Sequence, residues 1–325
     1  MYNQTDAVLA QYEIEISEVV KGRGSYICNT NEGKKILVPF NGSKEKGEFL
    51  RDYLRKVKEN GFTVEQIEVN AKGEAVTEDE VTGERFLLKD YISGTELNTG
   101  HLEEMEAAIC VLAEYHNVSS QMDLEISEKM KDSVEAVVDS RQRHYRELVK
   151  VKNYIRSRKK KNEFEQIYMK HFSPMLCTAE DSMRELEYQA QKSPKCDICH
   201  GEFNQHNVVC ENHVWHMVHF ENFTYSWSVM DLANFLRKML EKNNWDTELG
   251  MHLIEEYDKK YVLQREGLCQ LYGLLLFPEK FWKITNHYIN SRKSWISGRD
   301  IDKLKKVIEQ EGQRLKFMEN LFSIL

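Results

Sequence analysis

The first ninety residues alternate short apolar runs with turn residues, a pattern typical of β-strands joined by hairpins. Strands are predicted at residues 14–16, 26–29, 35–38, 63–69 and 84–88. The sequence Asn-Glu-Gly at 31–33 predicts a tight turn between two of them, and the turn at 21–25 fits a plain hairpin better than a glycine-rich phosphate loop. The chain therefore opens with a small β-rich region.

Helices are expected in most of the remaining chain. Ser43 can cap a helix that runs to Lys58, because the apolar residues after Ser43 recur at helical spacing. Further helices are predicted at 102–116, as two or three helices within 126–192, and from Met230 onwards with interruptions at 243–244, 277–278 and 297–298. The segments 208–210 and 214–218 form the one β-type patch in this second part.

Composition narrows the class of protein. The chain has 325 residues, of which 41% are hydrophobic and 30% charged, and a net charge of −8. This profile is typical of a helix-rich globular protein, and its acidic balance argues against a nucleic-acid partner. The basic run at 156–161 is the local exception, and a solvated helix end or linker explains it better than a phosphate-binding patch.

No sign of export or membrane insertion accompanies this composition. The first six residues lack the basic start and apolar run of a signal peptide, and the apolar stretch at 271–277 is far shorter than the roughly 20 residues that span a bilayer. The seven cysteines are odd in number and scattered, which favours reduced thiols. We therefore expect a cytoplasmic protein without a membrane partner.

One stretch carries the layout of a phosphotransferase active site. His200-Gly201-Glu202 is followed by Asn207, and His219-Phe220-Glu221 begins twelve residues after Asn207. The corresponding layout of an active site is H-G-D-x-x-x-x-N, then D-F-[DE]. In such a site the first Asp contacts the attacking hydroxyl, while the Asn and the second Asp hold Mg²⁺ against the phosphates of ATP.

Two residues depart from that layout. Glu202 keeps a carboxylate but adds a methylene, and a misplacement of about 1 Å can cost roughly 10²-fold in rate. His219 offers an imidazole where Mg²⁺ prefers hard oxygen ligands. Asn207 is retained, and Glu221 would share a strand face with His219 if the strand continued. Asn207 and Glu221 are thus the candidate metal ligands.

A third departure lies in the β-rich region. The strand before the first long helix should end in I-L-K, whose lysine holds the ATP phosphates, but Val38 stands at that position. Lys35 is oddly spaced from Val38 and should face the other side of the strand. Such a lysine would pair with Glu45 or Glu48 on the next helix. With Val38 in its place, neither acid has that partner.

Cysteine and histidine spacing raises two other possibilities. Cys196-x-x-Cys199-His200 matches a c-type haem attachment pattern, but that chemistry belongs to exported proteins, so we expect no haem. Cys196, Cys199, Cys210 and His213 could form a zinc site across a hairpin, although free thiols beside a loop explain them more simply.

Several segments together resemble the aminoglycoside phosphotransferase and choline kinase superfamily. They are the 200–207 loop, His219-Phe220-Glu221, Asp231-Leu232-Ala233 and Leu112-Ala113-Glu114-Tyr115-His116. Within that superfamily, the sequence Asn204-Gln205-His206 inside the loop resembles the spore coat protein CotS family. So do Phe235-Leu236-Arg237-Lys238, the segment Phe277-Pro278-Glu279-Lys280-Phe281-Trp282-Lys283-Ile284, and Tyr288 with Asn290, Ser291, Lys293 and Trp295.

The resemblance implies an α+β, bilobal protein kinase-like fold. Residues 1–92 would form a small β-rich lobe, and 93–325 a large, mainly helical lobe carrying the degenerate catalytic loop. It implies a spore coat protein with other coat proteins as partners, made in the mother-cell cytoplasm and then placed in the coat. Asp231 would be a structural brace of the loop.

The coincidence of Val38, Glu202 and His219 predicts a pseudokinase that needs no cofactor. The alternative is an active phosphotransferase that uses ATP and Mg²⁺ on a small hydroxylated molecule or a coat protein, through Glu202 and Glu221. A zinc- or thiol-crosslinked structural module is a third possibility. Five aromatic residues near the motif could line a binding pocket, but core packing explains them better. They are Phe203, Phe220, Phe223, Tyr225 and Trp227.

Overall fold

The structure, a computed structural model, describes residues 3–131, 133–192, 196–291 and 298–325. These residues form two compact units. The first comprises Met1–Asp123 and His200–Phe223, and the second comprises Leu124–Cys199 and Thr224–Leu325. The loop with the phosphotransferase-like motif thus belongs to the same compact unit as the N-terminal strands. The domain boundary at residue 92 stays a prediction.

The strands, in chain order, are β1 (Ile16–Lys21), β2 (Tyr26–Thr30), β3 (Gly33–Pro39), β4 (Thr77–Glu78), β5 (Arg85–Asp90), β6 (Thr95–Glu96), β7 (Asp197–Cys199), β8 (Val208–Glu211), β9 (Val214–Met217) and β10 (Thr224–Ser226). The helices are α1 (Gln4–Leu9), α2 (Lys44–Glu59), α3 (Leu102–Ser119), α4 (Glu128–Lys131), α5 (Ser133–Ser157), α6 (Glu163–Gln191), α7 (Val229–Lys242), α8 (Thr247–Lys260), α9 (Arg265–Leu276), α10 (Glu279–Asn290) and α11 (Gly298–Phe322).

The first unit is built on a five-stranded antiparallel sheet in the order β1-β2-β3-β5-β4. The predicted turn between β2 and β3 is present, and Gly33 there has φ of 100°, which glycine adopts without steric cost. The predicted helix α2 is capped by Ser43, whose hydroxyl accepts from the Lys46 N–H at 3.1 Å.

The two faces of this sheet differ. Cys28, Leu37 and Leu88 lie on the face that packs against α1 and the chain after it, forming a buried apolar cluster. Side chains alternate along a strand, so the other face carries the residues between them. The register pairs Val38 with Leu87 and Ile36 with Lys89, and this opposite face therefore presents a lysine beside three apolar residues.

The expected strand at 63–69 is not a regular strand. Val64 and Ile67 make only isolated bridges, to Met217 and Lys89 respectively. The side-chain amide of Gln66 donates to nearby backbone carbonyls, including that of Val64 at 3.2 Å, which holds the segment in an irregular path. The irregular path matters for the site, because it carries Glu65.

A second, three-stranded sheet in the first unit has the order β6-β8-β9. The β8–β9 hairpin is the predicted β-type patch, and it turns at Asn212 and His213, which both have positive φ. Two consecutive residues with positive φ are typical of the two-residue turns that match the twist of a hairpin. Strand β8 leads out of the motif loop, and β9 leads towards His219.

The second unit is mainly helical, with β7 and β10 paired in an antiparallel ladder. The predicted two or three helices within 126–192 are α4, α5 and α6. The predicted interruptions at 243–244 and 277–278 fall after α7 and between α9 and α10. The basic run lies at the exposed end of α5 and just beyond it, as expected of a solvated helix end. Ser297, Lys293 and Trp295 lie outside the described residues.

The core of the second unit brings α5, α6, α10 and α11 together. Its buried members include Phe164, Tyr168, Phe281 and Leu304. The Tyr168 and Phe281 rings stack at 5.3 Å between centroids. The aromatic residues of the 277–284 segment thus serve the helical core.

Candidate active site

The loop that begins at His200 is fixed by hydrogen bonds at its start. The Nδ1 atom of the buried His200 accepts from the Glu202 N–H at 3.2 Å, so its Nε2–H donates to the Val218 carbonyl at 2.8 Å. Gly201 has φ of +83°, and a Cβ there would lie 2.0 Å from the Asn222 carbonyl oxygen. Only glycine fits this position, because the loop runs directly against the chain that follows β9.

Asn204 shapes the middle of the loop. Its side-chain amide donates to the Glu202 carbonyl at 2.7 Å, and its Oδ1 accepts from the His206 N–H at 2.9 Å. Its carbonyl accepts from the Asn207 N–H at 2.9 Å. The Asn-Gln-His sequence that resembles the spore-coat branch therefore begins with a residue whose hydrogen bonds form the turn of this loop.

The two candidate catalytic side chains lie in this loop, and both have protein partners. Asn207, which is half-buried, donates from Nδ2 to the Glu202 carbonyl at 3.0 Å. The exposed Glu202 carboxylate accepts from Asn222 Nδ2 at 3.0 Å. Asn207 thus ties the two ends of the loop together, and the carboxylate of Glu202 is hydrogen-bonded to a neighbouring amide.

The chain turns at His219 instead of continuing as a strand. β9 ends at Met217, and His219 has φ of 71° and ψ of 56°, in the left-handed region that non-glycine residues rarely adopt. Residues Phe220–Asn222 then form a single 3₁₀ turn. Strand alternation therefore does not place Glu221, but the turn still brings it to His219, with Nδ1 and Oε1 3.5 Å apart.

A buried lysine that the sequence analysis did not single out stands at the centre of this site. Lys89 Nζ lies 2.7 Å from Glu65 Oε1, forms an ion pair with Glu221, and is 3.4 Å from His219 Nδ1. The side chains of Lys89 and Glu65 are each 2% exposed, and that of Glu221 is 13% exposed. The ammonium is therefore paired with two largely buried carboxylates and lies beside His219, whose side chain is 36% exposed.

The electrostatics of this cluster favour its charged form. Burial alone would lower the pKa of Lys89, but Glu221 and Glu65 outweigh burial and raise it. Burial alone would raise the pKa of Glu221, but the Lys89 ammonium, with a smaller contribution from His219, lowers it well below its usual range. Lys89 and Glu221 are thus an ammonium and a carboxylate at neutral pH.

Lys89 and Val38 share one face of the sheet. Val38, where the ATP lysine was expected, is a buried valine paired with Leu87, and Lys89 lies two residues beyond Leu87 on the same strand. Lys35 pairs with Asp90 on the other face, where its ammonium contacts Asp90 at 2.9 Å and Glu68. The lysine on the face of Val38 therefore comes from the neighbouring strand.

The expected acidic partners on α2 have other roles. Glu48 accepts from the Ala75 N–H at 2.7 Å and pairs with Arg51 at 2.5 Å. Glu45 is exposed. Neither is placed in the Lys89 cluster, where the acidic partner is Glu65 from the irregular segment after α2.

A sequence signal for Lys89 existed. It stands within Phe-Leu-Leu-Lys-Asp, directly after three apolar residues, at a position that alternates with Leu88 and shares a strand face with Leu87. Lysine is almost never fully buried unless paired, so an inward-facing lysine predicts a buried acid. The identity of that acid, Glu65, has no comparable signal, because the segment 62–70 lacks a regular period.

The residues present do not fit a Mg²⁺ ion. Mg²⁺ requires several hard oxygen ligands in near-octahedral geometry. Of the two candidate ligands, Glu221 is bound by the Lys89 ammonium, and the amide of Asn207 is hydrogen-bonded to the loop backbone. His219 contributes nitrogen where oxygen is needed. The donors that would hold the metal are thus engaged by the protein itself.

The predicted zinc group is divided between the compact units. Cys196 and Cys199 belong to the second unit, and Cys210 and His213 to the first. Burial raises the pKa of Cys196 to about 12 and that of Cys199 well above its ordinary value, whereas zinc binds the thiolate. Zinc binding by these four residues stays a prediction.

Most of the aromatic residues near the motif are buried. Phe203 and Phe220 are fully buried, and Phe220 packs edge-on against Tyr115 at 5.4 Å. Phe223 stacks on Phe49 at 5.6 Å in the same unit. In the second unit Trp227 is also fully buried. These four residues agree with core packing, the simpler of the two interpretations.

Solved structures that share this fold include antibiotic kinases. An aminoglycoside phosphotransferase from Alicyclobacillus acidocaldarius subsp. acidocaldarius DSM 446 matches with a TM-score of 0.81 at 18% identity, covering 98% of this chain and 95% of that one. The amicoumacin kinase hAmiN, solved with AMP-PNP, Ca²⁺ and Ami, matches with a TM-score of 0.60 at 12% identity, covering 96% and 92%. The predicted α+β kinase-like fold, with a small β-rich N-terminal region and a mainly helical C-terminal part, is confirmed.

A sequence comparison identifies the family of this chain within the kinase-like fold. Residues 5–321 match the family described as "Spore coat putative kinase YutH", and the chain belongs to that family. Spore coat protein S of Bacillus subtilis (strain 168) is 22% identical over 328 residues, which are 97% of this chain and 92% of that protein. The resemblance to the spore-coat branch of the superfamily is thereby confirmed. Across the described residues, every helix is too short or too polar to cross a bilayer.

Proposed function

We propose that this member of the spore-coat family is a pseudokinase, a structural or assembly component of the coat that does not transfer phosphate. The observation that carries the proposal is the ion pair between Lys89 and Glu221. Glu221 is the carboxylate best placed to replace the metal-binding Asp lost at His219. Its negative charge is balanced by a buried ammonium, so a metal ion gains little from it.

Two further features support the loss of catalysis. Val38 offers no ammonium to the phosphates of ATP, and it lies buried in the sheet. Glu202 has the longer side chain, and its carboxylate bonds to Asn222. Together with the Lys89–Glu221 ion pair, these two changes weaken three requirements of phosphoryl transfer: the phosphate clamp, the geometry of the base and the binding of metal.

The coat assignment extends what the family and its relative suggest. We infer that the protein is made in the mother-cell cytoplasm and then joins the coat, with other coat proteins as partners. A protein that keeps a kinase-like fold without the chemistry can still present a rigid surface for assembly, because fold and activity are separable.

An active phosphotransferase is the second candidate, and one observation favours it. Asn207 is retained in a loop whose hydrogen bonds are intact, and the Glu202 carboxylate in that loop is exposed. The loop could then act on a small hydroxylated molecule or a coat protein, with ATP and Mg²⁺ bound and Glu202 and Glu221 in altered roles.

Phosphate transfer separates the two candidates. Purified protein is incubated with γ-labelled ATP and Mg²⁺, together with a spore-coat extract or a panel of small hydroxylated compounds. We expect the label transferred by the wild type to equal that of Glu202→Gln and Asn207→Ala. Transfer by the wild type that both substitutions abolish would establish the kinase and overturn the pseudokinase.

The coat role has its own test. In an endospore-forming host that lacks the chromosomal copy, a fluorescent fusion should gather at the forming spore. The Asn207→Ala protein should restore coat assembly as well as the wild type does. A fusion that stays dispersed in the mother cell, or an Asn207→Ala protein that cannot restore the coat, would contradict the proposal.

A further inference from the structure

A cavity of about 400 Å³ lies within the second unit, where the end of α6, the start of α7 and the turn between α8 and α9 meet. Its volume falls in the range of roughly 300–1,000 Å³ that is typical of small-molecule sites. We propose that this cavity binds a neutral polyhydroxylated molecule, a sugar or an open-chain polyol, through buried amide and hydroxyl side chains of its wall. They are Gln189, Ser228 and Gln270.

Gln189 in the cavity wall has a buried acceptor without a donor. The residue is 2% exposed, and its Nε2 donates to Glu185 Oε1 at 2.6 Å. An ionised carboxylate only accepts, so the amide nitrogen must face Glu185 and the amide oxygen must face elsewhere. That oxygen is buried and has no hydrogen-bond partner among the described residues. A ligand hydroxyl that enters beside Gln189 supplies the donor that a buried acceptor normally has.

Two more polar side chains of the wall can bond to a ligand. Gln270 of α9 is 6% exposed, and its amide makes no hydrogen bond within the part of the chain that the structure describes. Ser228 Oγ lies 3.5 Å from Tyr261 OH, beyond the about 2.5–3.0 Å of a well-formed O–H···O bond. Tyr261 OH already donates to Asp197 at 3.0 Å. The Ser228 hydroxyl can therefore turn to a ligand.

The charges around the cavity favour a neutral ligand. The wall contains one ammonium, that of Lys192, and one carboxylate, that of Glu266, and its other polar side chains are uncharged. An anion would meet the carboxylate, and a cation would meet the ammonium. A hydroxyl group both donates and accepts, so neighbouring hydroxyls can satisfy amide oxygens, amide nitrogens and both charged groups. Val229 and Leu263 offer apolar surface to the C–H groups of such a molecule.

A peptide matches this wall less well. Peptides commonly bind as an added strand at a sheet edge or as a helix in an apolar groove. Here the wall consists of helix ends and the turn at 261–264, so it presents no strand edge. Amide and hydroxyl side chains on such a wall instead match the closely spaced hydroxyls of a sugar or polyol.

The inference goes beyond the proposed function. Glu202 and Asn207 of the motif loop belong to the first unit, whereas every residue of the cavity wall belongs to the second. The cavity would give the protein a contact with a hydroxyl-rich molecule that involves no phosphate transfer. Ligand binding should therefore be the same with and without ATP, whichever candidate function is correct.

A ligand-observed NMR titration of the full chain tests the proposal. The probes are D-glucose, a ring sugar, and sorbitol, an open-chain polyol. Tetrahydropyran, which has a six-membered ring without hydroxyl groups, is the control ligand. We expect saturable binding of glucose or sorbitol, with the tighter probe identifying the class, and no saturable binding of tetrahydropyran. Binding of neither probe, or equal binding of tetrahydropyran, would overturn the proposal.

Substitutions then locate the binding. Gln189→Leu and Gln270→Leu should each weaken the affinity for the tighter probe by roughly tenfold, the effect of losing one hydrogen bond inside a site. The matched control is Gln310→Leu. Gln310 is also a buried glutamine of the second unit, but it donates to the Glu241 carbonyl at 3.0 Å and lies outside the cavity wall. Unchanged affinity in both wall variants, or an equal loss in Gln310→Leu, would contradict the assignment.

A second pair of variants covers the case in which the glutamine variants do not fold. Gly267 lies in the cavity wall on α9, and a Cβ there would meet only Leu263 and Val229, at 3.6 and 3.8 Å. These are ordinary contacts, and leucine favours a helix over glycine, so Gly267→Leu should fold with its side chain in the cavity. Gly312→Leu on α11 is the control, because a Cβ there meets open space. We expect Gly267→Leu to abolish binding and Gly312→Leu to keep it; undiminished binding by Gly267→Leu would refute the proposal.

Discussion

Glu279 offers the sharpest quantitative prediction, because its environment is buried and charged. It begins α10 within the 277–284 segment that resembles the spore-coat branch, and it is 8% exposed. Its carboxylate pairs with Arg141 of α5 and with Lys283 at 3.2 Å. Burial acts to raise the pKa of Glu279, but Arg141 and Lys283 outweigh it and lower the pKa from 4.5 to about 2.

The magnitude follows from linkage. At about 1.4 kcal/mol per pKa unit, this shift corresponds to about 3 kcal/mol of folding free energy. The folded-state pKa is depressed, so the stabilisation is fully present above the unfolded value near 4.5. It is lost as pH falls through about 2, because the carboxylate then becomes protonated in the folded state as well.

Glu279→Gln removes the charge and keeps the shape. We predict a loss of about 3–5 kcal/mol at pH 7, because Arg141 is then left buried without its partner. Near pH 2 the difference from the wild type should shrink to below about 1 kcal/mol, since about half of wild-type Glu279 is then protonated in the folded state and nearly all of it in the unfolded state. Urea denaturation followed by circular dichroism, at several pH values, measures both quantities.

The matched control is Asp181→Asn on α6. Its carboxylate pairs with Arg184 on an exposed helix surface, where such pairs contribute about 0.2–0.5 kcal/mol. The control should change stability little at any pH. A loss below about 1 kcal/mol in Glu279→Gln at pH 7, or a loss that does not vary with pH, would refute the reasoning.

Two further predictions concern the loop and the thiols. Gly201→Ala should lower the free energy of unfolding by about 2–4 kcal/mol more than Gly24→Ala does. Both glycines have positive φ, but only at Gly201 would a Cβ meet backbone, the Asn222 carbonyl; equal melting temperatures for the two variants would contradict this. Cys177 is exposed and should react with a thiol reagent in seconds to minutes in the native state. Cys199 is buried with a raised pKa and should react only on unfolding, as peptide mapping after timed labelling can show.

Local signals in the sequence predicted much of the fold. Ser43 caps α2 because a hydroxyl before an apolar periodic segment satisfies the free N–H groups of the first turn. Gly33 and the Asn212-His213 pair adopt the positive φ values that hairpin turns demand. These elements depend on residues close in sequence, so a pattern suffices to find them.

The candidate site could be predicted only in part. The sequence predicts the loop from His200 to Asn207, because its residues are consecutive. It does not predict the ion pairs of Lys89 with Glu65 and Glu221. Glu65, Lys89 and Glu221 lie far apart in sequence, and Glu65 is on a segment without periodicity. Their convergence depends on the irregular path of that segment and on the turn at His219, and both are set by tertiary contacts.

The turn at His219 shows why strand alternation does not place the side chain of Glu221. From the sequence, Glu221 shares a strand face with His219 only if the strand continues through residues 219–221. In the structure Glu65 accepts from two successive N–H groups, of His219 and Phe220, and those bonds replace the strand ladder. A distant carboxylate thus decides the local backbone, which no short-range pattern could indicate.

Equilibrium dialysis of the full-length protein against radiolabelled ATP, with and without Mg²⁺, tests the central claim most directly. Active enzymes commonly have KM values between about 1 μM and 1 mM, so the titration should extend through that range. For a pseudokinase we predict no saturable ATP binding that depends on Mg²⁺. Saturable, Mg²⁺-dependent binding that Asn207→Ala abolishes would contradict it.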